Sequence, residues 1–172
     1  MSGDHVPLDS IQVGDMVKID AETNTYEAIY GFGHHEQSIA GNFLKIGWAQ
    51  NSFLEISSEH MLLVSSAASS AGFRMIPASK VKIGDELMVE GVATQVAFID
   101  EIQSRGLYAP LTYSGTIVVN GVKASQYISV QNTEHLVIGK INTGLNYHRL
   151  AHTFLFPLRL LGSMVKKDTP FM

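Results

Sequence analysis

The sequence predicts an all-β domain assembled from two similar halves, with a short helical extension at its C-terminal end. Three observations carry this expectation. The segment Pro7-Leu8-Asp9-Ser10-Ile11-Gln12-Val13-Gly14-Asp15 returns in thinned form as Pro77-Ala78-Ser79-Lys80-Val81-Lys82-Ile83-Gly84-Asp85, 70 residues later. That spacing exceeds the roughly 20–50 residues of a solenoid unit and suits a domain built twice over. Short apolar or alternating runs arrive about every ten residues, the rhythm of a sandwich or barrel rather than of βαβ units. Helical patterning is confined to the stretch that starts at Tyr147-His148-Arg149-Leu150-Ala151-His152.

The elements follow in order. Pro7 and Pro77 each open a segment where a missing N–H costs little, and residues 8–11 and 78–81 read as single helical turns. Gly14 and Gly84 supply a turn position with positive φ, and Asp15 and Asp85 close those turns through their side chains. Strands are expected over residues 16–20, 25–32, 42–48, 53–56 and 61–64 in the first half. In the second they are expected over 86–89, 94–102, 115–119, 126–130 and 134–138. Residues 65–72, rich in Ser and Ala, read as a loop between the halves. Gly31-Phe32-Gly33 lacks the strand-to-helix setting and third glycine of a nucleotide loop and reads as turn chemistry. Pro157 either starts a second helix or kinks the first.

Composition narrows the function. The formal charge is −4, and no basic run exceeds Lys166-Lys167, so a phosphate-tracking surface and nucleic-acid binding are not expected. The chain has no cysteine, which excludes disulfides and thiolate metal sites. Met1-Ser2-Gly3-Asp4-His5 has no apolar signal-peptide core. His148 and His152 stand at helical i, i+4 spacing, but zinc would need a third ligand, and they read as packing or helix-terminal histidines. Glu134-His135-Leu136-Val137-Ile138 echoes Glu59-His60-Met61-Leu62-Leu63 and reads as a further trace of the two halves. No Gly-x-Ser-x-Gly elbow marks a serine hydrolase.

Three stretches together resemble the Hint domain, the hedgehog and intein autoprocessing module, in its hedgehog-type branch. They are Val13-Gly14-Asp15-Met16-Val17 with its echo, then Ser57-Ser58-Glu59-His60-Met61-Leu62-Leu63-Val64, similar to a Thr-x-x-His block and its apolar strand. The third is Tyr108-Ala109-Pro110-Leu111-Thr112 with Gly115-Thr116-Ile117-Val118-Val119-Asn120-Gly121-Val122 and Ala124-Ser125-Gln126-Tyr127. The resemblance spans about residues 6–160. It implies an all-β horseshoe with pseudo-two-fold symmetry over residues 1–146, followed by an apolar helical extension over 147–172.

The implied reaction is self-cleavage. A cysteine at the first residue of the domain attacks the carbonyl before it to give a thioester, and a sterol alcohol or another acceptor then takes the acyl group. The domain acts in cis on an upstream segment and needs no cofactor beyond that small nucleophile. An amide is a poor acyl donor, so the site must polarise it and protonate the departing amine. By the resemblance, His60 is the histidine that does so, and Ser57 keeps the hydroxyl of the usual threonine. His34, with His35 beside it, falls where the family places the polar residue of the second step. Secretion is implied by the resemblance alone.

The nucleophile is not in this chain. The family's first cysteine lies well before the proline matched by Pro7, hence ahead of Met1, and its frequent second cysteine, in Ala-Ser-Cys-Tyr, is Gln126 here. Two expectations follow. In one the sequence begins late, and the processing domain has its nucleophile upstream. In the other it is a degenerate, non-catalytic module that binds an apolar ligand or membrane surface. The apolar run from Leu150 through Phe154, Leu155, Phe156 and Leu158 to Leu161 reads as a helix packed on the β domain, or as a segment that meets a sterol or the membrane interface.

Overall fold

Both copies of the Pro-to-Gly-Asp segment fold into the same double turn in the computed structural model. Ser10 donates its N–H to the Pro7 carbonyl, and Val81 donates to Ala78 at the end of a 3-10 turn over Ala78–Lys80, both at 3.1 Å. Gly14 and Gly84 take φ of +99° and +90°, a region that an L side chain rarely adopts. The Asp15 carboxylate accepts the Gln12 N–H at 2.8 Å, and Asp85 accepts the Lys82 N–H at 2.9 Å. Each glycine then donates to a buried aliphatic residue's carbonyl, Ile29 or Val96, at 2.8 Å. The two turns therefore lock two strand pairs in equivalent ways.

The structure describes residues 5–67, 71–129, 135–138 and 141–154. In chain order the strands of the first half are β1 (Met16–Lys18), β2 (Tyr26–Ala28), β3 (Gly31–Ala49), β4 (Ser52–Ile56), β5 (His60–Ser65) and β6 (Phe73–Pro77). The second half has β7 (Glu86–Val89), β8 (Val92–Gln95), β9 (Phe98–Leu111), β10 (Thr116–Val119) and β11 (Val122–Ile128). A ribbon of β12 (His135–Ile138) and β13 (Ile141–Asn146) leads into α1 (Tyr147–Phe154). The chain is all-β, and the pairings are antiparallel throughout the described residues. The order β10-β11-β5-β7-β8, with β6 on β5, forms the largest sheet, and β4-β3-β9 forms the long one.

Their shared core is aliphatic. Ile46 from β3, Leu54 and Ile56 from β4, Leu62 and Val64 from β5, and Leu87 from β7 bury their side chains together. Burying a side chain of this size contributes about 1.5–3 kcal/mol.

The expected strands differ from the observed ones mainly around β3. Gly31-Phe32-Gly33 is not a turn; it opens a 19-residue strand. Strand β3 pairs with β9 from Gly31↔Leu111 to Gly47↔Phe98, with register shifts after Phe32 and after Glu36. Such bulges bend the strand and increase its local right-handed twist. Tyr108 to Leu111, outside the expected strands, belongs to β9. Residues 73–77 and 141–146 also form strands that the apolar pattern did not show. The 65–72 loop is described only in part, and Pro157 lies outside the described residues.

Gly47 marks the tightest approach between these strands. A Cβ there would stand 2.0 Å from the Phe98 ring, which lies across it in register. Gly47→Ala must therefore displace the ring. We expect a loss of roughly 1–3 kcal/mol, read as a lower urea midpoint with an unchanged slope.

Candidate active site: a serine-histidine pair on an apolar cleft

His60 is the first residue of β5, reached through a tight turn. The turn is Ser57-Ser58-Glu59-His60, with the His60 N–H donating to the Ser57 carbonyl at 3.2 Å. Its outer peptide groups are tied down on both sides. Ser79 donates to the Ser58 carbonyl at 2.9 Å, and Ser129 donates to the Glu59 carbonyl at 2.8 Å. The repeat's 3-10 turn and the end of β11 thus hold the loop that aims His60. Within the turn, Ser57 Oγ and His60 Nδ1 share a hydrogen bond of 2.5 Å. With Nδ1–H donating to Ser57 Oγ, a neutral imidazole keeps the Nε2 lone pair free, the nitrogen left for chemistry.

Burial pushes the His60 imidazole below its usual range, because the charged form loses hydration. The Glu59 carboxylate works against that shift, and repulsion between the charged forms of the His60 and His34 rings adds to it. Glu59 itself accepts from Ser58 Oγ. The ring is consequently neutral at physiological pH, able to accept a proton and return it.

His34 stands exposed on β3, close enough to His60 for its charge to be felt. A register shift lies between Phe32 and His35 in the pairing with β9. His35 packs edge-on against Phe32 at 4.6 Å and Tyr108 at 5.4 Å between ring centroids. The structure therefore joins Ser57 and His60 in one turn, leaves His34 exposed on β3 and outside the lining of the cleft, and gives His35 a packing role.

The pair opens onto a cleft of about 80 Å³, whose walls include Leu8, Phe43, Tyr108, Pro110, Ile117 and Gln126. Gln126 stood out in the sequence only as a departure from a family cysteine. Here it is 8% exposed, with Nε2 donating to Thr112 Oγ1 at 2.5 Å and to the Thr116 carbonyl at 3.3 Å. Thr112 Oγ1 donates onward to that same carbonyl at 2.8 Å. No sequence signal announced this buried network, because it joins residues from three separate segments.

Strand β11 is buried on both faces. Successive side chains alternate in a strand, so Ala124 and Gln126 face inward while Ser125 and Tyr127 meet α1. Ser125 Oγ bonds His148 Nδ1 at 2.8 Å, and the Tyr127 hydroxyl bonds His152 Nδ1 at 3.2 Å. The two helix histidines stack with planes 9° apart. Both pack the helix onto the sheet. His135 opens β12 opposite Asn146, in the separate ribbon. The apolar run beyond Phe154 lies outside the described residues.

Comparison with known proteins follows the same line. The chain is 28% identical to "Protein hedgehog" of Drosophila erecta over 173 residues, covering 95% of this chain and 33% of that protein. It is 27% identical to "Indian hedgehog B protein" of Danio rerio, covering 96% of this chain and 40% of that one. "Warthog protein 6" of Caenorhabditis elegans is 27% identical over 69% of this chain and 21% of its own length. The chain thus spans well under half of these relatives. Among solved structures, the gp41-1 intein superposes with a TM-score of 0.51 at 19% identity, covering 67% of this chain and 84% of the intein. That likeness shows the fold, a β horseshoe. The model of the Hint module matches residues 1–169, and the chain belongs to that family of autoprocessing domains, in its hedgehog-type branch.

Proposed function

We propose that this domain cleaves the peptide bond of a segment joined to its N-terminal side and passes the acyl group to an external nucleophile. The observation that carries the reading is the Ser57–His60 pair at the mouth of an apolar cleft. A thiol supplied by the upstream segment attacks the carbonyl carbon of the preceding residue. His60 Nε2 takes the proton of the attacking thiol, the C–S bond forms as the C–N bond breaks, and the amine leaves with that proton, which returns Nε2 to its lone-pair form. Ser57 holds the ring in the orientation and tautomer these transfers require. In the second step an alcohol attacks the thioester, its proton passes to His34, and the thiolate departs.

The acceptor is a sterol or a similar apolar alcohol, and the apolar sequence of residues 150–161 would bring it, or a membrane, near. No helix among the described residues is long and apolar enough to cross a membrane. Processing of this kind suits a secreted protein.

The test is expression of the reading frame with its upstream segment and an N-terminal cysteine at the junction. Dithiothreitol should release that segment, and an intact product after prolonged thiol treatment would defeat the reading. His34→Ala should leave thiol-induced cleavage within about threefold of the parent while slowing transfer to an alcohol by roughly 10- to 100-fold. Equal slowing of both steps would remove His34 from the second step.

A further inference from the structure

We propose that Glu59 acts through His60 as its counter-ion, its carboxylate held by Ser58 so that it stabilises the imidazolium formed when Nε2 takes a proton. The step it serves rests on the reading above, whereas its hold on the ring is measurable on this chain alone.

The turn gives Glu59 a fixed base. Its carbonyl accepts the Ser129 N–H at 2.8 Å, and the Ser58 carbonyl before it accepts the Ser79 N–H at 2.9 Å. Ser129 is fully buried, so that side of the turn is anchored inside the protein. The His60 N–H closes the turn onto Ser57. From this fixed backbone the Glu59 carboxylate reaches Ser58, whose Oγ donates to Oε2. The two serines of the turn thus do parallel work: Ser57 orients the imidazole, and Ser58 orients the carboxylate.

The charge of Glu59 is not spent on another cation. The side chain is half-buried, and among the described residues no lysine or arginine pairs with it; the ion pair there joins Lys123 to Asp20. Partial burial strengthens the field of such a charge relative to bulk water, and the nearest titratable neighbour along the chain is His60. The other titratable groups around the ring are His34 on β3, and Glu55 and Tyr108 on the walls of the cleft. Glu55 is exposed on β4, where water and salt screen it. His60 therefore stands between one anion, Glu59, and one like-charged ring, His34, which act on it in opposite directions.

This arrangement answers a conflict in the chemistry. Burial keeps the ring neutral and ready, but it penalises the positive charge that appears once the thiol proton has been taken. An anion on the adjacent residue lowers the cost of that state without competing for either ring nitrogen. Nδ1 stays with Ser57 and Nε2 stays with the reacting groups. Glu59 is on this account a positioning residue, which touches no substrate and sets how easily His60 carries a proton.

NMR titration of the His60 imidazole in the present chain tests the idea. In Glu59→Gln, which keeps an acceptor for Ser58, the midpoint should fall by about 0.5–1 pH unit. Ser58→Ala should lower it by a smaller step, because the carboxylate remains but is no longer held. Glu55→Gln should leave it unchanged. With the upstream segment and its cysteine in place, Glu59→Gln should slow thiol-induced cleavage about 3- to 10-fold, the same shift expressed as a ratio. A midpoint that stays or rises in Glu59→Gln would overturn this inference whether or not the domain cleaves. A midpoint that falls in a domain that never cleaves would support the counter-ion and sink the proposed function. A fallen midpoint with cleavage at the parent rate would remove Glu59 from the reaction. An equal fall in Glu55→Gln would reduce the effect to general surface charge, and a parental midpoint in Ser58→Ala would strike out the part given to Ser58.

Discussion

His60→Ala should slow thiol-induced cleavage of the upstream segment by on the order of 100- to 10,000-fold, the range for removing a positioned general acid-base. Without the imidazole the departing amine must leave unprotonated or take its proton from water. Ser57→Ala should cost less, because it removes the group that orients the ring and leaves the ring itself. The difference is readable in single-turnover assays of the fused segment with dithiothreitol. A His60→Ala protein that cleaves within threefold of the parent would remove His60 from the reaction, whatever its effect on stability.

The same residue fixes a pH dependence. Its folded-state pKa lies below the usual imidazole value, with burial the main cause. The stability that goes with a neutral His60 is complete above the ordinary value near 6.5. It is lost as pH falls through the lower folded value, where the unfolded chain binds the proton more readily. The acidic limb of cleavage should sit lower than a free imidazole would place it. Removing the nearby charge with His34→Ala should move that limb upward, since His34 contributes to the depression. A limb that moves down in His34→Ala would contradict the arrangement.

Much of this is legible in the amino-acid order, and the reasons are physical. Gly14, Gly84 and their aspartates announced turns because positive φ and short-range side-chain capping are local requirements, written into adjacent residues. Ser57 and His60 came instead from the likeness of their block to a Thr-x-x-His pattern, and the structure sets both in one tight turn. Strand β3 was not. From Gly33 to Ala40 its residues are exposed, so neither face is apolar and no period-2 signal exists for a strand held by its ladder to β9. The Gln126 network was equally silent: Thr112, Thr116 and Gln126 come together only after β10 folds back on β11. Adjacent His34 and His35 could not be told apart by sequence; only the folded chain sets the His35 ring against Phe32 and Tyr108.

The echo that marks the two halves also predicts where they should differ. Asp15 and Asp85 occupy equivalent turns, yet Asp85 is 4% exposed while Asp15 is exposed. Asp85 accepts a second hydrogen bond, from the Ala67 N–H at 3.1 Å, beside the one from Lys82. Asp15 accepts only the local one from Gln12 among the described residues. Asp85→Ala leaves two backbone donors without an acceptor, each worth about 1–3 kcal/mol where burial keeps water out. We expect a loss of roughly 2–5 kcal/mol from Asp85→Ala and about 1 kcal/mol from Asp15→Ala, where water can replace the carboxylate. Asp85→Asn should fall between Asp85→Ala and the parent, because it keeps an acceptor oxygen. Urea unfolding of the three variants decides the matter. Equal losses at the two sites would mean that the turn alone matters and that the Ala67 contact adds nothing.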